Sequence, residues 1–141
     1  LGYLFCPKEQ DAKKVQEQVS EWNVSVIAQR AGIAGMQVLA DGTYLSQTRQ
    51  LLERERAYLT QSLQELGAKV YPGTANFLLF YEDSIDWYAA LLKQKILIRD
   101  CSDYAGLSKG FYRIAIRRRE ENQVLVETMQ AVKEGKEVRW K

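Results

Sequence analysis

One long amphipathic stretch constrains the fold of this chain more than any other feature. Between Tyr44 and Leu66, apolar side chains mostly recur three, four or one residues apart, with polar side chains between them. This spacing places the apolar side chains along one side of an α-helix. Gly67 follows directly, as is typical of a helix C-terminus, so the pattern predicts a helix of about six turns over residues 43–66. The apolar stripe comprises Tyr44, Leu45, Thr48, Leu51, Leu52, Tyr58, Leu59, Leu63 and Leu66.

The residues before this helix predict one strand and two shorter helices. Residues 1–5 form an apolar run that Pro7 ends, because proline has no N–H for a β ladder. Helical patterns cover residues 9–21 and 26–39, and Asn23 and Ser25 are both candidate N-caps of the second helix. The first residue is not methionine, and the predicted strand has no lead-in. We therefore expect either the interior of a larger fold or the product of proteolytic processing.

After Gly67 the pattern changes to short apolar runs separated by turns. It predicts strands at residues 69–71, 76–81, 96–99 and 111–116, and helices at 85–93 and 120–133. The order β-β-α-β-β-α is that of an α/β fold in which helices cover one face of a small sheet.

Composition excludes several classes of function. The 141 residues include no histidine, so the chain has no Ser-His-Asp triad, no Cys-His pair and no histidine metal site. With 20 basic and 18 acidic residues the net charge is +2, which argues against a broad nucleic-acid surface but allows a local anion site. No apolar run approaches the roughly 20 residues of a membrane helix. We expect a cytoplasmic protein that binds neither nucleic acid nor membrane, and we expect no metal site.

Two arginines in apolar strands are the candidate binding residues. Side chains alternate faces along residues 111–116, which places Arg113 on the face opposite Tyr112 and Ile114. A buried arginine without a partner costs several kcal/mol, so Arg113 must reach solvent, pair with a carboxylate or bind an anion. Arg99 ends the preceding predicted strand, and both guanidinium groups face one cleft if the two strands are neighbours. The alternative is a salt bridge, for example from Arg99 to Asp100 or Asp103.

The sequence around these arginines resembles a known family. Residues 95–102, 110–117 and 119–122 are similar to the C-terminal signature of histidinol-phosphate aminotransferases and threonine-phosphate decarboxylases. Four earlier segments are similar to preceding parts of the same enzymes, so that the resemblance extends to about residue 133. These segments are residues 1–4, 22–25, 28–32 and 75–77.

The resemblance implies a fold and a cofactor. It implies the C-terminal small domain of the aspartate-aminotransferase fold, which is the type I fold of pyridoxal 5'-phosphate (PLP) enzymes. Residues 1–42 would be the tail of the large PLP-binding domain, residues 43–66 a long linking helix, and residues 67–141 the small α/β domain. Nothing in residues 1–141 matches the PLP lysine. In the family the cofactor is held mainly by the N-terminal part of the enzyme, which this sequence does not include. The chain alone is therefore expected to be inactive, and the full-length enzyme is expected to be a homodimer.

The resemblance also implies roles for the two arginines. Arg113 matches the arginine that binds the substrate's α-carboxylate, and Arg99 matches a position that helps hold the substrate's charged groups in the decarboxylases. Residues 22–25 favour L-threonine-O-3-phosphate decarboxylase, which forms aminopropanol phosphate for cobalamin. One alternative is a histidinol-phosphate aminotransferase or a related amino-acid aminotransferase. Another is a stand-alone domain that senses a phosphorylated metabolite.

Overall fold

The computed structural model describes residues 2–136, which form two compact units. The first extends to Gln47 and the second begins at Thr48. Within the described residues there are five helices and four strands. In chain order these are α1 (Glu9–Gln18), α2 (Val26–Leu39), α3 (Thr43–Glu65), β1 (Lys69–Tyr71), β2 (Phe77–Tyr81), α4 (Trp87–Lys93), β3 (Arg99–Asp100), β4 (Phe111–Ala115) and α5 (Arg119–Lys133).

The first unit contains α1, α2 and the first residues of α3. Of the two candidate N-caps, Ser25 caps α2, because its Oγ accepts a hydrogen bond from the backbone N–H of Ala28 at 3.2 Å. Neither α1 nor α2 contains a buried residue. The strand predicted for residues 1–5 is wrong where it is described, since residues 2–6 adopt no regular structure. A strand needs a neighbouring strand to complete its hydrogen bonds, and no described strand pairs with this segment.

The second unit is built on a four-stranded antiparallel sheet with the order β1-β2-β4-β3. Leu78 and Phe80 of β2 lie opposite Ile114 and Tyr112 of β4, and all four side chains are buried. The intervening residues of both strands are exposed or only partly buried. The predicted alternation along β4 is therefore confirmed, with Arg113 on the more open face.

Three helices cover the buried face of the sheet and close the hydrophobic core. The predicted α/β fold with helices on one face is thus confirmed. Fully burying a large apolar side chain contributes roughly 1.5–3 kcal/mol, so this face dominates the stability of the unit. The helical contributions to the core include Leu59 and Leu63 of α3, Trp87 and Leu91 of α4, and Leu125 and Met129 of α5.

The apolar stripe of α3 is buried only in its second half. Leu59 and Leu63 are fully buried, whereas Tyr44 and Leu45 in the first turn are 55% and 41% exposed. The buried side of α3 also carries a charged residue, Glu55, which is completely inaccessible to solvent. The buried side of α3 therefore packs against the rest of the second unit through polar as well as apolar contacts.

Strand β3 is shorter than the predicted strand at residues 96–99, because the residues before it complete the end of α4. Lys95 adopts a positive φ of 61°, and the N–H of Ile96 donates to the carbonyl of Leu91 at 3.0 Å. This is the hydrogen-bond pattern of a Schellman motif. Regular strand pairing therefore begins only at Arg99.

Candidate functional site

Arg99 and Arg113 lie directly opposite each other on neighbouring antiparallel strands. Their Cα atoms are register partners in the β3–β4 ladder. Directly opposed residues of an antiparallel pair project from the same face of the sheet. The structure therefore brings together the two arginines that the sequence singled out, and it does so in an arrangement that disfavours two like charges.

The guanidinium group of Arg113 packs on an aromatic ring and has no acidic partner. Its Cζ lies 4.8 Å from the ring centroid of Phe77 on β2. Among residues 2–136 no carboxylate forms a salt bridge with it, although the side chain is partly buried. The ring contact orients the planar group, so its remaining donors are available to a ligand.

Arg99 is in a different state, because it already has a counter-ion. Its Nη2 donates to Oδ2 of Asp103 at 2.7 Å, and its Cζ lies 5.4 Å from the ring centroid of Tyr104. The charge of Asp103 raises the pKa of Arg99 above its ordinary value. The salt bridge considered for Arg99 is thus present, whereas Arg113 has no such bridge within the described residues.

Both arginines line one open groove of the second unit, with a volume of about 1310 Å³. Arg117 also lines this groove, and its Nε lies 2.6 Å from Oε1 of Glu121. Of these three arginines, two are therefore neutralised locally, and Arg113 carries the uncompensated charge. The groove as a whole is not positively charged, because its lining carries four basic and four acidic side chains. An anion would therefore bind locally at Arg113, whose planar fork suits a carboxylate or a phosphate.

A buried polar network fixes the segment that follows β4. Asn122 at the start of α5 accepts a hydrogen bond from the N–H of Arg117 at 3.1 Å and donates one to the carbonyl of the same residue at 2.9 Å. Glu55 accepts a further bond from Asn122 at 3.0 Å and pairs with Arg119 at 3.2 Å. These contacts tie the end of the arginine-bearing strand to α3. No sequence pattern predicts these contacts, and the one available signal is that Glu55 lies four residues before Leu59 on the apolar side of the helix.

Phe77 and Arg56 were also missed. Arg56 of α3 donates to the backbone carbonyls of Ala75 and Phe77, which holds the entry to β2. Phe77 in turn supplies the ring beneath Arg113. No local pattern in the sequence connects Arg56 with a loop that lies 19–21 residues later.

The groove does not offer a lysine that suits a PLP Schiff base. A lysine that forms a Schiff base is activated by desolvation or by a neighbouring cation. Lys95 is the one lysine among the residues that line the groove, and it is exposed. Among residues 2–136, we therefore assign no PLP lysine to this groove. Within the same range, no helix has the combination of length and apolar character that crossing a bilayer requires.

Comparison with known proteins identifies the family of this chain. Residues 1–129 match the family model described as aminotransferase class I and II. The threonine-phosphate decarboxylase of Salmonella typhimurium is 36% identical over 96% of this chain and 37% of its own length. A histidinol-phosphate aminotransferase of Nitratidesulfovibrio vulgaris is 31% identical over 94% of this chain and 34% of its own length. The chain thus spans about a third of the length of these curated relatives.

Solved structures show the same fold. The histidinol-phosphate aminotransferase from Clostridium acetobutylicum superposes with a TM-score of 0.80 at 26% identity, over 90% of this chain and 39% of that one. The L-threonine-O-3-phosphate decarboxylase from Porphyromonas gingivalis gives a TM-score of 0.73 at 22% identity, over 90% of this chain and 40% of that one, and supports the fold alone. The predicted small domain of the aspartate-aminotransferase fold is confirmed. The chain belongs to the class I and II aminotransferase family.

Proposed function

We propose that this chain supplies the arginine pair with which a PLP-dependent enzyme holds a phosphorylated amino acid or amine. The observation that carries the proposal is the register pairing of Arg99 and Arg113 in one groove. Class I and II aminotransferases depend on PLP, and that cofactor provides the electron sink for the reaction. The residues of this chain bind and orient the substrate's anionic groups.

The register pairing of the two arginines supports a ligand with two anionic groups, although only Arg113 is uncompensated and Arg99 already contacts Asp103. Opposed like charges destabilise a β ladder unless something neutralises them. Arg113 lacks an acidic partner among residues 2–136 and rests on Phe77, so we assign it to the substrate's carboxylate. Arg99 is more exposed and lies beside the loop after β3, so we assign it to the phosphate. Arginine suits both groups because its donors form a planar fork.

We propose decarboxylation of L-threonine O-3-phosphate to aminopropanol phosphate, a step of cobalamin synthesis, as the reaction. The pattern of residues 22–25 and the 36% identity to a threonine-phosphate decarboxylase support it. The alternative is amino transfer, either from histidinol phosphate or, as in a related aminotransferase, from an amino acid. It is favoured by the aminotransferase relative at 31% identity and by the superposition with a TM-score of 0.80.

The test uses the full-length product of the gene that encodes these residues. Purified protein with PLP is incubated with L-threonine O-3-phosphate in one reaction. In a second reaction it is incubated with histidinol phosphate and 2-oxoglutarate. Release of CO₂ from the first substrate without amino transfer from the second supports the decarboxylase. Amino transfer without CO₂ release refutes it and establishes the alternative.

We further propose that residues 1–42 belong to the large PLP-binding domain, residues 43–66 to a linking helix, and residues 67–141 to the small domain, of which 137–141 lie outside the described residues. The full-length protein would be a cytoplasmic homodimer. The chain alone would be inactive because the PLP lysine lies outside it. Incubating the chain with PLP and borohydride tests this point, since stoichiometric attachment at a single lysine would contradict it.

A stand-alone domain that senses a phosphorylated metabolite remains the candidate from another class. The groove with its uncompensated Arg113 is the observation that favours it. A gene whose start codon lies beside Leu1 would support this function, and an upstream Ser-x-x-Lys motif in the same reading frame would refute it.

A further inference from the structure

Asp103 occupies the groove together with the arginine pair and contacts Arg99 at 2.7 Å. We propose that Asp103 is a resident counter-ion, which competes with the phosphate of a ligand for Arg99 and so limits how tightly the groove holds a phosphorylated compound. This proposal rests on the function proposed above and identifies the residue that sets phosphate affinity and release.

The contact between Asp103 and Arg99 is one that a ligand can displace. A single pair of atoms, Nη2 and Oδ2, forms it. The two side chains are 65% and 49% exposed, and exposed pairs of this kind are weak. Among residues 2–136, the carboxylate of Asp103 accepts no hydrogen bond other than the one from Arg99. Nothing in that part of the chain therefore ties Asp103 to the fold when an anion takes its place.

Removing the carboxylate has two opposing effects on phosphate binding. It abolishes repulsion between Asp103 and the incoming phosphate, and it also releases one restraint on Arg99. The repulsion scales with the product of the charges and is doubled for a dianion. The restraint is lost only in part, because Arg99 keeps its contact with the ring of Tyr104. The electrostatic gain is therefore the larger effect, and phosphate binds more tightly without Asp103.

The summed charge of the three side chains also predicts tighter phosphate binding without Asp103. Arg99, Arg113 and Asp103 together carry a charge of about +1 when all three are ionised, and without Asp103 they carry about +2. A dianion gains more from this change than a monoanion does. Asp103 thus weakens the binding of phosphate more than the binding of acetate. A purely structural residue would not produce this difference.

The experiment titrates the 141-residue chain with inorganic phosphate at pH 8, where phosphate is a dianion, and with acetate. The Nε–Hε resonances of the arginines report binding in NMR spectra, and an Arg99→Lys variant assigns Arg99. We expect Asp103→Asn to raise phosphate affinity about threefold and acetate affinity by less. The gain should shrink at 1 M NaCl because salt screens exposed charges. Asp103→Ser is the second variant, and circular dichroism verifies that each variant folds.

Asp100→Asn is the matched control. It removes the same charge three residues away, but its carboxylate accepts a bond from the N–H of Ser102 at 2.9 Å and forms no salt bridge with a described arginine. Its effect on phosphate affinity should be clearly smaller. Unchanged or weaker phosphate binding by Asp103→Asn overturns the proposal, as do an equal gain in Asp100→Asn and the absence of phosphate binding in every variant. A catalytically inert full-length protein would refute the proposed enzyme and leave a positive titration result intact.

Discussion

The carboxylate of Glu55 on α3 accepts a hydrogen bond from Nδ2 of Asn122 on α5, at a distance of 3.0 Å. Both residues are essentially inaccessible to solvent. The side chain of Asn122 also accepts a hydrogen bond from the N–H of Arg117 and donates one to the carbonyl of Arg117. A buried carboxylate with several donors therefore connects the long helix to the chain segment that leaves β4, and this connection fixes one end of the strand that bears Arg113.

Replacing Glu55 with glutamine should destabilise the fold. The amide retains a hydrogen-bonding group for Asn122 but removes the charge that Arg119 and Arg54 contact at 3.2 and 3.0 Å. Losing charged hydrogen bonds at a buried site costs roughly 1.5–3 kcal/mol, so we expect the free energy of unfolding in urea to fall by about 2 kcal/mol. Glu53→Gln is the control, because Glu53 is exposed on the same helix. Equal stability of the two variants would contradict the importance of the network.

The same network predicts an acid dependence. Burial by itself raises the pKa of Glu55, but the hydrogen bonds from Asn122 and Arg54 and the charge of Arg119 outweigh it, and the pKa is lowered from its ordinary value of 4.5. A carboxyl group whose pKa is lower in the folded state stabilises the fold above the unfolded-state pKa. That stabilisation is lost as the pH falls below about 4.5 toward the folded-state pKa.

We therefore expect the unfolding free energy of the wild-type chain to decline more steeply below about pH 4.5 than that of Glu55→Gln. Urea unfolding at a series of pH values measures the two slopes. Parallel curves for the two proteins would show that Glu55 does not contribute to the acid dependence.

The contrast between Arg113 and Glu55 shows which parts of the site the sequence could predict. The face of Arg113 follows from strict alternation along one strand, which is a local property of the backbone. The partner of Glu55 lies 67 residues later, and no local pattern encodes that pairing. The shortened β3 has a similar origin, because the positive φ of Lys95 and the end of α4 decide where pairing begins. The periodicity of the sequence predicts helices, strands and the side chains that share a face. Contacts between residues far apart in the sequence can be identified only from the folded structure.

Gly110 should tolerate alanine poorly. Its φ of 96° is unfavourable for other residues, and an added Cβ would lie 2.9 Å from Cε2 of Tyr81 and 3.0 Å from Cβ of Asp83. We expect Gly110→Ala to reduce the free energy of unfolding by about 2–3 kcal/mol. Gly106→Ala is the matched control, since its φ is 84° but its Cβ would meet nothing within 4 Å. That variant should lose only about 1 kcal/mol. Urea unfolding of the two variants compares backbone strain with and without the steric clash. An equal loss of unfolding free energy in both variants would show that the contact with Tyr81 is unimportant.

Substitution of Arg113 tests whether its uncompensated charge binds the substrate. In the full-length enzyme proposed above, Arg113→Ala should raise KM and lower kcat, with a loss in kcat/KM of about 10–100-fold, because a charged hydrogen bond to the substrate disappears. Arg113→Lys should recover only part of this loss, since lysine keeps the charge but lacks the planar fork.

Arg118→Ala provides the control for these two variants. Arg118 is exposed just before α5 and does not line the groove, so its removal should leave both constants unchanged. If Arg113→Ala behaved in the same way, the guanidinium over Phe77 would be a packing feature of the sheet. If lysine restored full activity, charge alone would suffice, and the fork geometry would play no part in holding the carboxylate. A graded order of wild type, lysine and alanine is the result that the position of Arg113 opposite Arg99 predicts.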